Sequence, residues 1–404
     1  MTAAPQGSLR IVFDCRYTRT DRHDGISRYT AGLVTELGGL HPVTMLISDH
    51  RQLNMLPALP WQLVRSPTSV LEPLVALTVN KLSPDIVFSP MQTMGSWGRR
   101  YRLVLTVHDL IYYRNRTPPR EFSAGIRLLW RLYHLSWWPQ RMLLNRSDGV
   151  VTVSETTAEL IQRHRLTRRP VSVVPNAADA VAATGEPADR PGPATKRLIY
   201  MGSFMPYKNV DTLVRATAAL PGYELHLLSR IGDAERARLS ALAPQARLVF
   251  HNGVSDAEYV ALLDSATALV TTSLDEGFGI PLVEAMSLGI PVVASDIPIF
   301  REIGGDAASY VAPRDPDAGL LTRERLSRCR GASFPFAVRS AECATAPRRS
   351  RCERLRSSDS FRRSTSTARS SAGPADRPGW RVPARHTSSC HTVEVSPRRR
   401  AHDR

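Results

Sequence analysis

The chain has 404 residues, of which 42% are hydrophobic and 22% charged, so it is long and apolar enough for two domains with buried cores. No apolar run approaches the ~20 residues of a membrane-spanning helix, and the N-terminal residues lack a signal-peptide pattern. These features argue against an integral membrane or secreted protein. We therefore expect a cytoplasmic protein, either soluble or attached peripherally to the inner membrane face.

The first half of the chain alternates strands and helices. Short apolar and β-branched runs predict buried strands, at residues 9–13, 43–47, 86–88, 103–107, 149–153 and 171–174. A polar loop and then a helical pattern, which begins near Gly25, follow the first strand. This layout binds anions in doubly wound sheets. Gly25 either lets a phosphate approach the backbone or only permits the turn, and the sequence leaves both interpretations open.

His108 directly follows the predicted strand at residues 103–107, within the string Thr-Val-His-Asp-Leu. Open α/β sheets bind ligands beyond the carboxyl ends of their strands, which is where this histidine would lie. A single histidine is often structural, but this position favours a role in binding a ligand.

Residues 125–145 combine leucines and three tryptophans with several arginines in an amphipathic helical pattern. A basic, aromatic helix of this kind can lie on the surface of an anionic membrane. It can also pack its apolar side on the sheet and expose its arginines to solvent. From the sequence we prefer the second interpretation.

Residues 177–195 are rich in Ala, Pro, Gly and acidic residues without periodicity, which predicts a linker. A second series of strands and helices follows, with strands predicted from residue 197 and at 224–228, 247–250, 268–270, 291–294 and 309–311. Two such series predict an α/β protein of two doubly wound, Rossmann-like domains facing each other across a cleft. The expected limits are residues 1–176 for the first domain and 196–320 for the second.

The first loop of the second domain carries a candidate phosphate-binding lysine. Lys208 follows the strand that begins at residue 197 and precedes a helical pattern at 210–220. Its ammonium would therefore lie near a helix N-terminus on the cleft side, where it can neutralise a diphosphate.

A later loop of the same domain brings two carboxylates close to a helix start. Glu276 follows the strand at 268–270, and Pro281 opens the next helix, which carries Glu284. Free backbone N–H groups at the start of that helix suit a phosphate. The two carboxylates can hold sugar hydroxyls, one at the mouth of the site and one deeper.

The string from Glu276 to Met286, in which seven residues separate Glu276 from Glu284, is followed by Gly-Ile-Pro-Val-Val-Ala-Ser-Asp. Together they closely resemble the retaining nucleotide-sugar glycosyltransferases of family four, also called group 1. The variant of the Lys208 loop resembles the mannosyl- and rhamnosyltransferase branch. The resemblance implies the GT-B fold and transfer of a hexose, mannose or rhamnose favoured, from a nucleoside diphosphate sugar to a hydroxyl. The acceptor would be a glycan or a lipid-linked sugar, in cell-surface polysaccharide or glycolipid synthesis.

The resemblance also implies roles for individual residues. His108 and Glu276 would contact the sugar at the centre of transfer. The donor-binding residues would be Gly25, Gly202, Ser203, Lys208, Gly277, Phe278, Gly279, Ile280 and Glu284. Many family members carry an Arg where this chain has Ser203, so Lys208 would bear more of the phosphate charge. No Asp-x-Asp motif stands at a predicted strand end, and we expect neither a metal nor another cofactor.

After about residue 317 the chain no longer resembles the family. Residues 321–404 contain 20 Arg, no Lys, 7 acidic residues and four of the five cysteines, and they account for most of the formal net charge of +16. We expect this tail to be disordered, because it offers too little apolar surface to bury. A reading-frame change near residue 320 would explain the bias better than an arginine-rich segment that binds nucleic acid, and no nucleic-acid partner is expected. The alternative to an active enzyme is an inactive or donor-binding-only remnant that lacks the family's C-terminal helices.

Overall fold

A computed structural model describes residues 9–118, 123–177 and 196–314. All of them belong to one compact unit, which the following description concerns. Most of the predicted linker, the end of the second predicted domain and the whole predicted tail lie outside the described residues. The limits assigned to the two domains therefore stay predictions.

The first sheet has seven parallel strands in the order β3-β2-β1-β4-β5-β6-β7. They are β1 (Ile11–Asp14), β2 (Val43–Ile47), β3 (Trp61–Leu63), β4 (Ile86–Ser89), β5 (Arg102–Val107), β6 (Gly149–Thr152) and β7 (Val171–Val173). The strand order reverses between β1 and β4, which pair in register from Ile11 opposite Ile86. In doubly wound sheets a crevice forms beyond the carboxyl ends of the strands at such a reversal.

In the described part of this half of the chain, six α-helices connect these strands. They are α1 (Gly25–Leu40), α2 (Val75–Val79), α3 (Ile111–Arg114), α4 (Ala124–Tyr133), α5 (Trp138–Asn145) and α6 (Glu155–Arg163). Side chains cap two of their N-termini, because Asp24 accepts a hydrogen bond from the Ser27 N–H and Ser154 accepts one from the Thr157 N–H. We call this sheet and its helices, residues 9–118 and 123–177, the N-terminal lobe.

The second sheet has six parallel strands in the order β10-β9-β8-β11-β12-β13. They are β8 (Arg197–Tyr200), β9 (Glu224–Leu227), β10 (Arg247–Phe250), β11 (Ala268–Thr271), β12 (Val292–Ser295) and β13 (Ala308–Val311). The helices are α7 (Val210–Ala218), α8 (Asp233–Leu242), α9 (Asp256–Asp264), α10 (Ile280–Ser287) and α11 (Pro298–Gly304). This order reverses between β8 and β11, so the loops after these two strands share one crevice. We call residues 196–314 the C-terminal lobe.

The two predicted Rossmann-like sheets are confirmed. Each predicted strand is present, with both ends within two residues of the predicted bounds. Strand β3 escaped prediction because it has only three residues, all exposed at a sheet edge. The single helix expected at 125–145 is wrong. The chain forms α4 and α5 with a break between them, since Pro139 occupies the first turn of α5 and cannot continue a preceding helix.

The expected packing of that segment holds only in part for its first half, because Tyr133 packs against buried side chains of the N-terminal lobe while the leucines of α4 are exposed. No residue of α4 is buried. Helix α5 does pack on the N-terminal lobe, with Gln140 and Leu144 buried. The arrangement leaves a row of apolar side chains of α4 and the start of α5 at the surface.

A buried ion pair fixes the loop that follows β1. The guanidinium of Arg16 donates from Nε and Nη2 to the Asp14 carboxylate, at 2.7 and 3.0 Å. It also donates from Nη1 and Nη2 to Glu72, at 2.7 and 2.9 Å. Ser89, at the end of β4, donates to Asp14 as well, at 3.2 Å. These bonds hold together the two strands between which the sheet order reverses.

Replacing Arg16 with Met should destabilise the protein by about 3–5 kcal/mol, because it leaves the buried carboxylate of Asp14 without a cation. Urea unfolding followed by circular dichroism measures the change. As a control, Arg51→Ala removes an exposed cation that pairs with Asp49, and it should shift the unfolding midpoint far less. Equal shifts for the two variants would contradict a stabilising role for the Arg16 pair.

Candidate active site

A cavity of about 400 Å³ lies between the two lobes, lined by the segments that follow β1 and β5 in one lobe and β8 and β11 in the other. We call it the inter-lobe cavity. It collects nine of the eleven residues singled out from the sequence, namely Gly25, His108, Lys208, Glu276, Gly277, Phe278, Gly279, Ile280 and Glu284. Gly202 and Ser203 do not line it. The backbone carbonyl of Ser203 instead accepts a hydrogen bond from the Tyr200 hydroxyl at 2.8 Å.

Lys208 and Glu276 form an ion pair across the loops that follow β8 and β11. The Lys208 ammonium lies 2.5 Å from Glu276 Oε1, which also accepts a hydrogen bond from the Ser273 hydroxyl at 2.8 Å. The backbone N–H of Leu274 donates to the carbonyl of Tyr207 at 2.7 Å, so the two loops are joined along their length. The candidate phosphate-binding cation and the candidate sugar-binding carboxylate therefore occupy one place in the cavity.

Two positions in the loop after β11 require glycine for steric reasons. A Cβ on Gly277 would lie 2.7 Å from the carbonyl oxygen of His108 and 2.8 Å from Cβ of Asp109. The backbone of the C-terminal lobe therefore packs directly on the His108 loop of the N-terminal lobe. Gly279, with φ of +105°, has the left-handed conformation that only glycine adopts readily before helix α10.

His108 is held in one protonation form. Its Nε2 lies 2.7 Å from the carbonyl oxygen of Pro90, so this nitrogen carries the proton. Burial lowers the pKa of His108 and favours the neutral ring. Nδ1 is then a hydrogen-bond acceptor. The ring also packs edge-on against Tyr29, with centroids 4.9 Å apart.

Glu284, on the second turn of α10, is 6% exposed and has a partner on each carboxylate oxygen. Arg28 of helix α1 donates from Nη1 to Oε1 at 2.9 Å, and the Tyr259 hydroxyl donates to Oε2 at 2.8 Å. Arg28 also pairs with Asp256. Neither Arg28 nor Tyr259 is among the site residues predicted from the sequence. Arg28 lies three residues after Gly25, on the first turn of the same helix. A cation so close to a candidate phosphate-binding glycine could have been predicted as a site residue.

Two further contacts join the lobes beside the cavity. Asp275 pairs with Arg114 and accepts a hydrogen bond from the side chain of Asn115 at 3.1 Å. Burial raises the pKa of Asp275 to about 6, although the cation of Arg114 opposes this shift. On the opposite side, Glu302 accepts hydrogen bonds from the first two backbone N–H groups of α6, at 2.7 and 2.8 Å.

Within residues 9–118, 123–177 and 196–314, no group of three or more His, Cys, Asp or Glu side chains is placed to hold a metal ion. No helix in the same part of the chain is long and apolar enough to cross a membrane.

Two protein-family models match the chain. Residues 23–181 match Glycosyltransferase Family 4, and residues 189–322 match Glycosyl transferases group 1. The two matches cover the N-terminal and C-terminal lobes in turn.

The chain is also similar in sequence to curated mannosyltransferases and in fold to solved structures. The chain is 25% identical to the O-antigen chain mannosyltransferase RfbU of Salmonella typhimurium over 316 residues, which are 72% of this chain and 84% of RfbU. It is 30% identical to the MMP alpha-(1->4)-mannosyltransferase of Mycolicibacterium hassiacum over 242 residues, 56% of either protein. Its fold matches HepE of Anabaena, solved in complex with UDP and glucose, with a TM-score of 0.56 and 18% identity over 80% of this chain and 89% of HepE.

The raised pKa of Asp275 predicts a pH dependence of stability. A carboxyl group whose pKa is higher in the folded state stabilises that state below pH ~4, and the contribution is lost as pH rises towards 6. Relative to Asp275→Asn, the wild-type free energy of unfolding should therefore fall between pH 4 and 6. Urea titrations at several pH values measure this difference.

Asp296→Asn is the matched control, because Arg301 lowers the pKa of Asp296. The contribution of Asp296 is present above pH ~4 and is lost only on further acidification, so the corresponding difference should stay level between pH 4 and 6. A difference between wild type and Asp275→Asn that stays constant across pH 4–6 would refute the assigned pKa.

Proposed function

Because this chain is a group 1 glycosyltransferase with the GT-B fold, of the mannosyltransferase-like branch, we propose that it transfers mannose or rhamnose from a nucleoside diphosphate sugar to a hydroxyl acceptor. The acceptor would be a growing glycan or a lipid-linked sugar of the cell surface. The observation that carries the proposal is the inter-lobe cavity, in which Lys208 and Glu276 face His108 across a loop of bare glycine backbone.

The diphosphate would lie between Lys208 and the start of helix α10. A donor diphosphate would replace Glu276 as the partner of the Lys208 ammonium. The backbone N–H groups of residues 277–280 would add donors, and helix α10 would add the positive end of its dipole. These groups would stabilise the negative charge that develops on the leaving diphosphate as the bond to the sugar breaks. We expect no metal to be needed, and Lys208 would supply part of the neutralising charge.

The sugar would lie between Glu276 and His108. Once Lys208 turns to the phosphate, both oxygens of Glu276 can accept hydrogen bonds from sugar hydroxyls. The neutral ring of His108 offers Nδ1 as a further acceptor from the N-terminal lobe. Both lobes would then fix the anomeric carbon relative to the acceptor hydroxyl, and positioning of this kind accelerates transfer. We further propose that the anomeric configuration is retained.

A donor-binding remnant is the second candidate, since the group 1 match ends at residue 322 and the chain continues with the arginine-rich residues described above. An enzyme and a remnant differ in turnover and not in affinity. A protein that binds a nucleoside diphosphate sugar but neither transfers nor hydrolyses it would be the remnant.

Glu276→Gln and Lys208→Gln should each lower transfer by about 10²- to 10³-fold, because each removes a charge that acts on the reacting sugar diphosphate. A thermal-shift screen of nucleotide sugars first identifies the donor, and release of the nucleoside diphosphate then measures turnover. Glu159→Gln, on an exposed position of α6, is the control and should keep full activity. Full activity in Glu276→Gln would refute the assigned site.

We also propose that helices α4 and α5 attach the protein to an anionic membrane surface. Leu129 is 68% exposed and Trp138 is 64% exposed, and Leu128 and Leu132 are exposed beside them. Arg127 and Arg131 lie on the same helix, α4. An exposed apolar row with arginines beside it suits the boundary between lipid headgroups and acyl chains. Attachment there would bring the enzyme to a lipid-linked acceptor at the inner membrane face.

Vesicle flotation tests this attachment. Wild-type protein should float with vesicles containing phosphatidylglycerol, and Leu129→Ser/Leu132→Ser should reduce binding severalfold by removing exposed apolar surface. Arg127→Gln/Arg131→Gln should reduce binding at low salt and leave a weaker salt dependence. Val70→Ser, another exposed apolar position, serves as the control. Equal binding by all four proteins would contradict the proposed surface.

A further inference from the structure

Arg28 enters the inter-lobe cavity from the lobe opposite Lys208. It lies on the first turn of α1, which also carries Gly25 and Ile26 at the cavity wall. Its side chain is 17% exposed and reaches across to the C-terminal lobe, where it pairs with Glu284 and Asp256. Arg28 therefore contacts both lobes at the cavity wall.

Arg28 and Lys208 are the only Arg or Lys side chains among the described residues that line the cavity. The diphosphate of a nucleotide sugar carries two negative charges, so one lysine neutralises only half of them. Ser203, in the loop that carries Lys208, does not line the cavity. The second cation that lines the cavity thus comes from α1 of the N-terminal lobe.

The ion pair between Arg28 and Glu284 parallels the pair between Lys208 and Glu276. In each pair a cation that suits a phosphate is held by a carboxylate that suits sugar or ribose hydroxyls, at 2.9 and 2.5 Å. Separating either charge from its partner without replacement is costly in a partly buried site. A nucleotide diphosphate offers replacements to both sides, because its phosphates take the cations and its hydroxyls take the carboxylates.

We propose that Arg28 is the second diphosphate ligand and that donor binding exchanges its partner. The guanidinium leaves Glu284 for the phosphate oxygens, which it can hold with two parallel hydrogen bonds. Glu284, still bonded to the Tyr259 hydroxyl, then accepts the hydroxyls of the nucleotide ribose. This inference rests on the proposed function, since it concerns the same donor site.

Calorimetric titration of the full-length protein with nucleoside diphosphates tests the exchange. UDP and GDP are both used, and the corresponding nucleosides, uridine and guanosine, report binding without phosphate. Arg28→Gln should weaken nucleoside diphosphate binding by about 10- to 100-fold, as expected for loss of a charged hydrogen bond. It should leave nucleoside binding equal or tighter, because Glu284 is released. Arg28→Lys should fall between wild type and Arg28→Gln.

Asp256→Asn removes the other partner of Arg28 and should leave diphosphate binding equal or tighter. Arg19→Gln, which removes an exposed arginine near the start of α1, should change nothing. If Arg28 only held the lobes together, Arg28→Gln and Asp256→Asn would both weaken nucleoside and diphosphate binding alike and would lower the melting temperature without ligand. That result would overturn the inference.

Lys208→Gln separates this inference from the proposed function. If Lys208→Gln loses diphosphate binding while Arg28→Gln keeps it, the donor site stands and the role of Arg28 is refuted. If the wild-type protein binds no nucleoside diphosphate, the proposed function itself fails. Loss of binding in both variants, with nucleoside binding preserved in Arg28→Gln, supports two cations on one diphosphate.

Discussion

The close approach of Gly277 to the His108 loop is the contact on which the candidate site depends. No side chain fits between the Gly277 backbone and the carbonyl of His108, so the backbones of the two lobes meet directly there. This contact sets the ends of the two parallel sheets against each other, with the loops after β8 and β11 facing the loop after β5. Lys208 and Glu276 thereby come opposite His108, and the lobes enclose a cavity in place of two separate surfaces.

Inside that cavity each cation is paired with a carboxylate before any donor arrives. Lys208 is held by Glu276, and Arg28 is held by Glu284. Such pairing stabilises charges that would otherwise be costly to bury. A ligand that carries both phosphates and hydroxyls can replace both partners at once, whereas a plain anion or a plain sugar replaces only one. Selectivity for a nucleotide sugar would follow from this pairing.

In helices α4 and α5, the amphipathic pattern predicts the secondary structure but not the surroundings of the apolar side. The alternation of leucine and arginine correctly indicates helix, and Pro139 explains why there are two helices. The pattern does not say what the apolar side contacts, because a sheet and a lipid surface offer the same apolar environment to leucine. Packing in three dimensions shows that α4 is not buried in its own lobe.

The sequence by itself determined the two doubly wound sheets and the loops that carry the site. Strands buried on both faces of a sheet have continuous apolar sequences, which can be recognised directly. Glycine and proline indicate the loops after β8 and β11, and Glu276 lies in the second of them. The sequence could not predict that Arg28, 256 residues before Glu284, is bonded to it. That pair depends on how the lobes face each other, and no local periodicity encodes an orientation between two separately folded sheets. Tertiary structure alone decided it, together with the absence of Ser203 from the cavity, because contacts between distant segments arise only after both lobes have packed.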